Sequence, residues 1–145
     1  MENILENKLH SYLVENNPDM LLSLEQETKV TAYIKGKVSA VRKMMADMQQ
    51  EGTPSYIIEE ILMEELTSDL RPSRYNLLLS ILQTEFGPTY ESYREMGILT
   101  YELSAMINSC KHIFEQMPFT REEEENNRRY YAITGAIADY LENKK

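Results

Sequence analysis

Apolar residues recur along this chain at three- and four-residue intervals, the spacing that lines one face of an α-helix. Nowhere do they alternate long enough to suggest a strand. Ile4, Leu5, Leu9, Tyr12 and Leu13 predict a first helix over about 2–16, with Asn3, Glu6, Lys8 and Glu15 opposite. Asn16-Asn17-Pro18-Asp19 ends it, because the residue before a proline avoids helical angles. Ser23-Leu24-Glu25-Gln26 has the form of a capping box, and Val30, Ile34, Val38 or Val41, Met45 and Met48 continue the pattern. One long helix near 24–51 is therefore expected, with Gly36 as a place where it can kink.

Gly52-Thr53-Pro54 separates that helix from the next: glycine suits the left-handed position past a C-terminus, threonine an N-cap, and proline a first turn. Ile57, Ile58, Ile61, Leu62 and Leu66 form the following stripe, with Glu59, Glu60, Glu64 and Glu65 opposite. A fourth helix opens near Ser73 and reads apolar on most sides through Phe86, which predicts a central, well-buried element. Tyr90 to Met96 forms a short polar helix closed by Gly97. Leu99, Leu103, Met106, Ile107, Cys110, Ile113, Phe114 and Met117 give a sixth stripe. Thr120-Arg121-Glu122-Glu123 is a second capping box, before a last helix carrying Ile133, Ile137, Tyr140 and Leu141. The expectation is a single all-α domain over 1–145, a multihelical bundle of six or seven helices.

Composition narrows the class. A chain of 145 residues, 42% hydrophobic and 27% charged, is sized to bury one real core. The lone Cys110 forbids an intramolecular disulfide and fits a reducing compartment. The first residues show neither the basic region nor the apolar run of a signal peptide, and no stretch is long enough to span a membrane. Cytoplasmic localisation is the expectation. A net charge of −9 with scattered bases argues against binding a polyanion, since phosphate neutralisation dominates such affinity. The one basic stretch that could form a stripe is Lys29, Lys35, Lys37, Arg42 and Lys43.

Motifs for chemistry are sparse. There is no phosphate-cradling glycine loop, nucleophile elbow, Cys-x-x-Cys or His-Glu-x-x-His. Cys110 and His112 would lie about 200° apart on a helix, so the two cannot share a metal there. His112 and Glu115 share a face, which suits a surface pair. Cys110 falls in an apolar stripe, as a small core residue would. No catalytic residue, cofactor or metal is expected. The glutamate groups at Glu59–Glu65 and Glu122–Glu125 read as solvated helix faces.

The groups suited to contact with a protein are Arg128, Arg129 and Tyr131, and Met44 and Met45 at the end of the long helix. Arginine and tyrosine are enriched at interface hot spots, and methionine suits adaptable surfaces. Tyr130 shares its stripe with Ile133 and Ile137 and is expected inside.

The order of features from Leu9 to Phe86 is itself distinctive. Leu9-His10-Ser11-Tyr12-Leu13 leads to Pro18. A long helix then ends at Gly52, an acidic apolar helix follows, and Ser73-Arg74-Tyr75 opens a leucine-rich helix closing on Glu85-Phe86. Over about residues 9–86 the chain resembles an uncharacterised bacterial family of small all-helical domains. That resemblance implies a compact helical fold of unknown function, in proteins often associated with mobile or accessory genes, and it implies no catalytic residues. The reading is a non-enzymatic domain acting through a protein partner or as a homo-oligomer, for instance a dimer. The alternative is an accessory nucleic-acid-associated regulator using the Lys29–Lys43 face.

Overall fold

The computed structural model describes residues 1–119 and 122–144, which form ten α-helices and one 3-10 turn, with no strand among them. The all-α class holds, but six or seven helices is an undercount. The chain divides into two compact units, Met1–Arg71 and Pro72–Lys145.

The first unit comprises α1 (Glu2–Asn16), α2 (Pro18–Gln26), α3 (Val30–Ala40), α4 (Arg42–Gln50), α5 (Ser55–Thr67) and the turn Ser68–Leu70. Helix α1 packs against α2, α3 and α5. Its Leu5, Leu9 and Leu13 are fully buried and meet Ile34 and Val38 of α3 and Ile58, Leu62 and Leu66 of α5. Burying each such side chain stabilises the unit by about 1.5–3 kcal/mol. An ion pair between Lys8 and Glu59 joins α1 to α5 at the rim.

The single long helix expected near 24–51 is instead three helices. The first break is at Thr28, whose φ of 55° is left-handed. Thr28 N–H donates to the Glu25 carbonyl at 3.1 Å and Lys29 N–H to the Leu24 carbonyl at 2.9 Å. This pair of bonds is the Schellman closure, usually built on glycine. Gly52 (φ 80°) closes α4 and Gly97 (φ 73°) closes a later helix with the same two bonds. Glycine marked those two ends in the sequence, whereas a β-branched threonine gave no such signal. Replacing Thr28 with glycine removes the strain of a left-handed β-branched residue and is expected to stabilise the protein by about 1 kcal/mol in urea unfolding.

The second break is a one-residue bend at Val41, where the amide turns back to the Val38 carbonyl at 3.1 Å. The bend keeps Val38, Val41 and Met45 all buried in one core. Gly36 causes no break, since α3 runs through it.

Two start signals act differently from expectation. Helix α2 begins at Pro18 behind Asn17, so Ser23 lies inside the helix and caps nothing. The Asn17 side chain is spent elsewhere, its amide reaching the Leu70 carbonyl at 3.5 Å. Helix α5 starts at Ser55 with Pro54 at the cap position, one residue later than a Thr53 cap implies.

The second unit holds α6 (Arg74–Glu85), α7 (Gly87–Met96), α8 (Leu99–Ser109), α9 (Lys111–Gln116) and α10 (Glu123–Asn143). Helix α6 opens near Ser73 as expected, and Ser73 caps it, its hydroxyl accepting from the Asn76 amide at 3.1 Å. Helix α6 packs against α7, α8 and α10, burying Tyr75, Leu78, Ile81 and Leu82 among Leu103, Met106, Ile133 and Ile137. The continuous stripe from Leu99 to Met117 bends at Cys110 (φ −94°, ψ 5°), separating α8 from α9. The capping box at Thr120-Arg121 lies outside the described residues.

Cys110 is 1% exposed, and burial pushes its thiol from 9.0 up to about 11. The native state therefore keeps this proton to higher pH than the unfolded chain does. Below pH 9 both states hold the proton and the contribution is fully present. As pH rises from 9 toward 11 the unfolded state ionises first and stability falls. The thiol is expected to resist iodoacetamide at pH 8 in the native protein and to react readily in urea, as followed by mass spectrometry.

Candidate functional site

Helix α10 has an inner and an outer side. Arg129, Ile133 and Ile137 are buried, while Arg128, Tyr131, Gly135 and Ala138 are exposed. The four exposed positions fall within about 80° of one another around the helix. Tyr131 is 72% exposed and meets Tyr130 edge-on, ring centroids 5.8 Å apart. Tyr130 is partly buried against the core, and its phenol donates to Glu85 Oε1 at 2.9 Å. That hydrogen bond raises the Tyr130 pKa above the ordinary tyrosine value. Arg128 lines a cavity of about 380 Å³ with Gln116, Met117, Pro118 and Glu125.

Arg129 corrects the expectation of a three-residue partner surface. It is 4% exposed, with its guanidinium 4.1 Å from the centroid of the Phe119 ring and Nη1 donating to the Pro118 carbonyl at 3.2 Å. Burial lowers its pKa, and Nε finds no partner among the described residues. The residue fastens α10 to the segment after α9 and lies withdrawn from the exposed face. Met45 is corrected in the same way. At 7% exposed it belongs to the core of the first unit, whereas Met44 is 40% exposed. In both pairs the helix phase decides, since neighbours in sequence point about 100° apart.

The basic stretch is largely engaged. Lys37 donates to both carboxylate oxygens of Asp69 at 2.8 and 2.9 Å, Arg42 pairs with Glu2, and Lys29 lies 3.5 Å from Glu27. Lys35 and Lys43 are exposed and have no acidic partner among the described residues.

Sequence reasoning missed a buried carboxylate. Glu102 of α8 is 7% exposed, and Lys144, just past the end of α10, donates to both its oxygens at 2.8 Å. Tyr140 donates its phenol to Oε2 at 3.0 Å. Its partners sit 38 and 42 residues away in sequence, so only packing brings them together. One signal was present: Tyr140 and Lys144 are four apart, hence on one face of a helix. Hydrogen bonding to Glu102 raises the Lys144 pKa above the usual lysine value.

A family model described as a domain of unknown function, DUF1896, matches residues 4–145. The chain belongs to that family. The DUF1896 match spans both compact units and carries the family beyond the Leu9–Phe86 region to α10. Arg128, Tyr131, Glu102 and Lys144 all lie inside the DUF1896 region. No curated protein and no solved structure matches the chain. No helix among the described residues is long and apolar enough to cross a membrane.

Proposed function

We propose that this chain is a non-enzymatic helical module of the cytoplasm that acts through protein contacts, by self-association or by docking a partner. The observation that carries the reading is the outer face of α10. It sets a 72% exposed tyrosine beside Arg128 and the small residues Gly135 and Ala138. An exposed aromatic ring next to an arginine is the side-chain chemistry enriched at interface hot spots, and small neighbours let a second backbone approach. Met44 adds an exposed thioether on the first unit. The buried, unpaired Cys110 supports a reducing setting.

Light scattering behind size exclusion tests the self-association arm. A concentration-dependent dimer that Tyr131→Ala converts to monomer supports it, and a strict monomer over a wide concentration range removes it. Capture of a partner from the native host, lost on Tyr131→Ala together with Arg128→Ala, tests docking. For the alternative, regulation through nucleic acid, three of the five bases at Lys29–Lys43 lie within ion-pair distance of carboxylates. Titration with duplex DNA at two salt concentrations separates the readings: phosphate contacts must weaken with salt, and no binding at low salt eliminates them.

A further inference from the structure

Glu102 is a carboxylate held 93% out of solvent yet bonded at both oxygens, by Tyr140 in the last turn of α10 and by Lys144 just past it. Besides binding both carboxylate oxygens, the Lys144 ammonium lies 5.2 Å from the centroid of the Tyr140 ring. Tyr93 of α7 lines the same groove as Lys144. A desolvated carboxylate beside an aromatic ring is an arrangement that recognises alkylammonium groups, through charge-assisted hydrogen bonds and cation–π attraction.

The present occupant is loosely anchored. Lys144 lies one residue beyond the final helical residue Asn143, where helices fray, and its side chain is 47% exposed on a flexible four-carbon stem. Outside it opens a groove of about 400 Å³ lined by Pro88, Thr89, Ser92, Tyr93, Leu141 and Lys144 itself. This is enough room for a short alkyl chain beside the site, with Leu141 and Pro88 as apolar wall. The net charge of −9 draws cations toward the protein as a whole.

We propose that Glu102, Tyr140 and Tyr93 form a binding site for a primary alkylammonium group, that Lys144 fills it in cis, and that an alkylamine entering from the groove displaces Lys144. The inference concerns a ligand site and stands apart from the contact face on α10. Lys144 competes at an effective concentration of millimolar order or more, as a tethered group does, so the intact protein binds an external amine weakly. Removing the tethered competitor leaves Glu102 buried without its counter-ion, and binding strengthens.

Calorimetric titration of the full chain with n-butylamine at neutral pH and fixed ionic strength tests this. Lys144→Ala is expected to bind butylammonium at least tenfold more tightly than the wild type, and Lys144→Ala with Glu102→Gln is expected not to bind. Tetramethylammonium, which cannot donate a hydrogen bond, is expected to bind at least tenfold more weakly than butylammonium. Lys144→Met keeps most of the aliphatic stem and serves if the alanine variant does not fold. In the wild type, NMR is expected to show the Lys144 ammonium signal and the Tyr93 and Tyr140 ring signals shifting together as the amine is added. No saturable binding to either Lys144 variant overturns the proposal. So does equal binding to the variant that also carries Glu102→Gln, which would mark general attraction to an acidic surface. A parallel titration with the amide of N-acetyl-lysine identifies the source of the ammonium. Tighter binding than butylamine assigns the site to a protein lysine, and weaker binding to a free amine.

Discussion

Leu103→Ala is expected to destabilise the protein by about 2–5 kcal/mol, the range for truncating a buried leucine whose surroundings close only partly around the gap. Leu103 is 0% exposed on α8 and packs with Leu78, Ile81 and Leu82 of α6 and Ile133 and Ile137 of α10. Two helices, α6 and α10, thus converge on its side chain. Each is fixed by other contacts, so the cavity cannot collapse cheaply. Leu103→Met nearly conserves volume and is expected to cost less than about 1.5 kcal/mol. Urea unfolding of the two variants, read as a change in midpoint at constant slope, checks the pair. A loss below 1 kcal/mol for alanine would show that the helices around Leu103 are free to close on the void.

Arg129→Ala is expected to cost about 1–3 kcal/mol, although deleting a buried charge also removes a desolvation penalty. The loss has three sources: the stack on Phe119, the bond to the Pro118 carbonyl, and the packing of the side-chain stem in a site 4% exposed. Arg129→Lys is expected to recover only part of this, because an ammonium lacks the planar guanidinium that lies over the ring. Arg128→Ala, one position along, is expected to change stability by no more than about 0.5 kcal/mol. Thermal unfolding of the three variants side by side decides the matter. Equal effects at the two arginines would contradict the inside–outside division of α10.

That contrast shows where sequence reading stops. The stripes at Leu5, Leu9 and Leu13 and at Ile133 and Ile137 named the inner faces of α1 and α10, because a 3.6-residue period is written locally. The ends at Gly52 and Gly97 were equally legible, since glycine tolerates positive φ without strain. The candidate surface was legible only in part. Tyr131, Arg128 and Met44 are exposed, whereas Arg129 and Met45 point inward. An arginine at a stripe's edge carries no sign of whether a ring such as Phe119 waits to cover it.

The amino-acid order by itself thus determined that the chain is helical, that it belongs with small helical domains of unknown function, and most of the buried stripe positions, although Ile4 and Ile61, placed in those stripes, are 46% and 40% exposed. Tertiary structure alone decided the interruptions at Thr28, Val41 and Cys110. Each bends the chain so that apolar residues on both sides reach one core, and burial there offsets a backbone cost that local preferences would refuse. Tertiary structure also assembled Glu102 with Tyr140 and Lys144, since a carboxylate can leave water only where groups distant in sequence arrive to replace it.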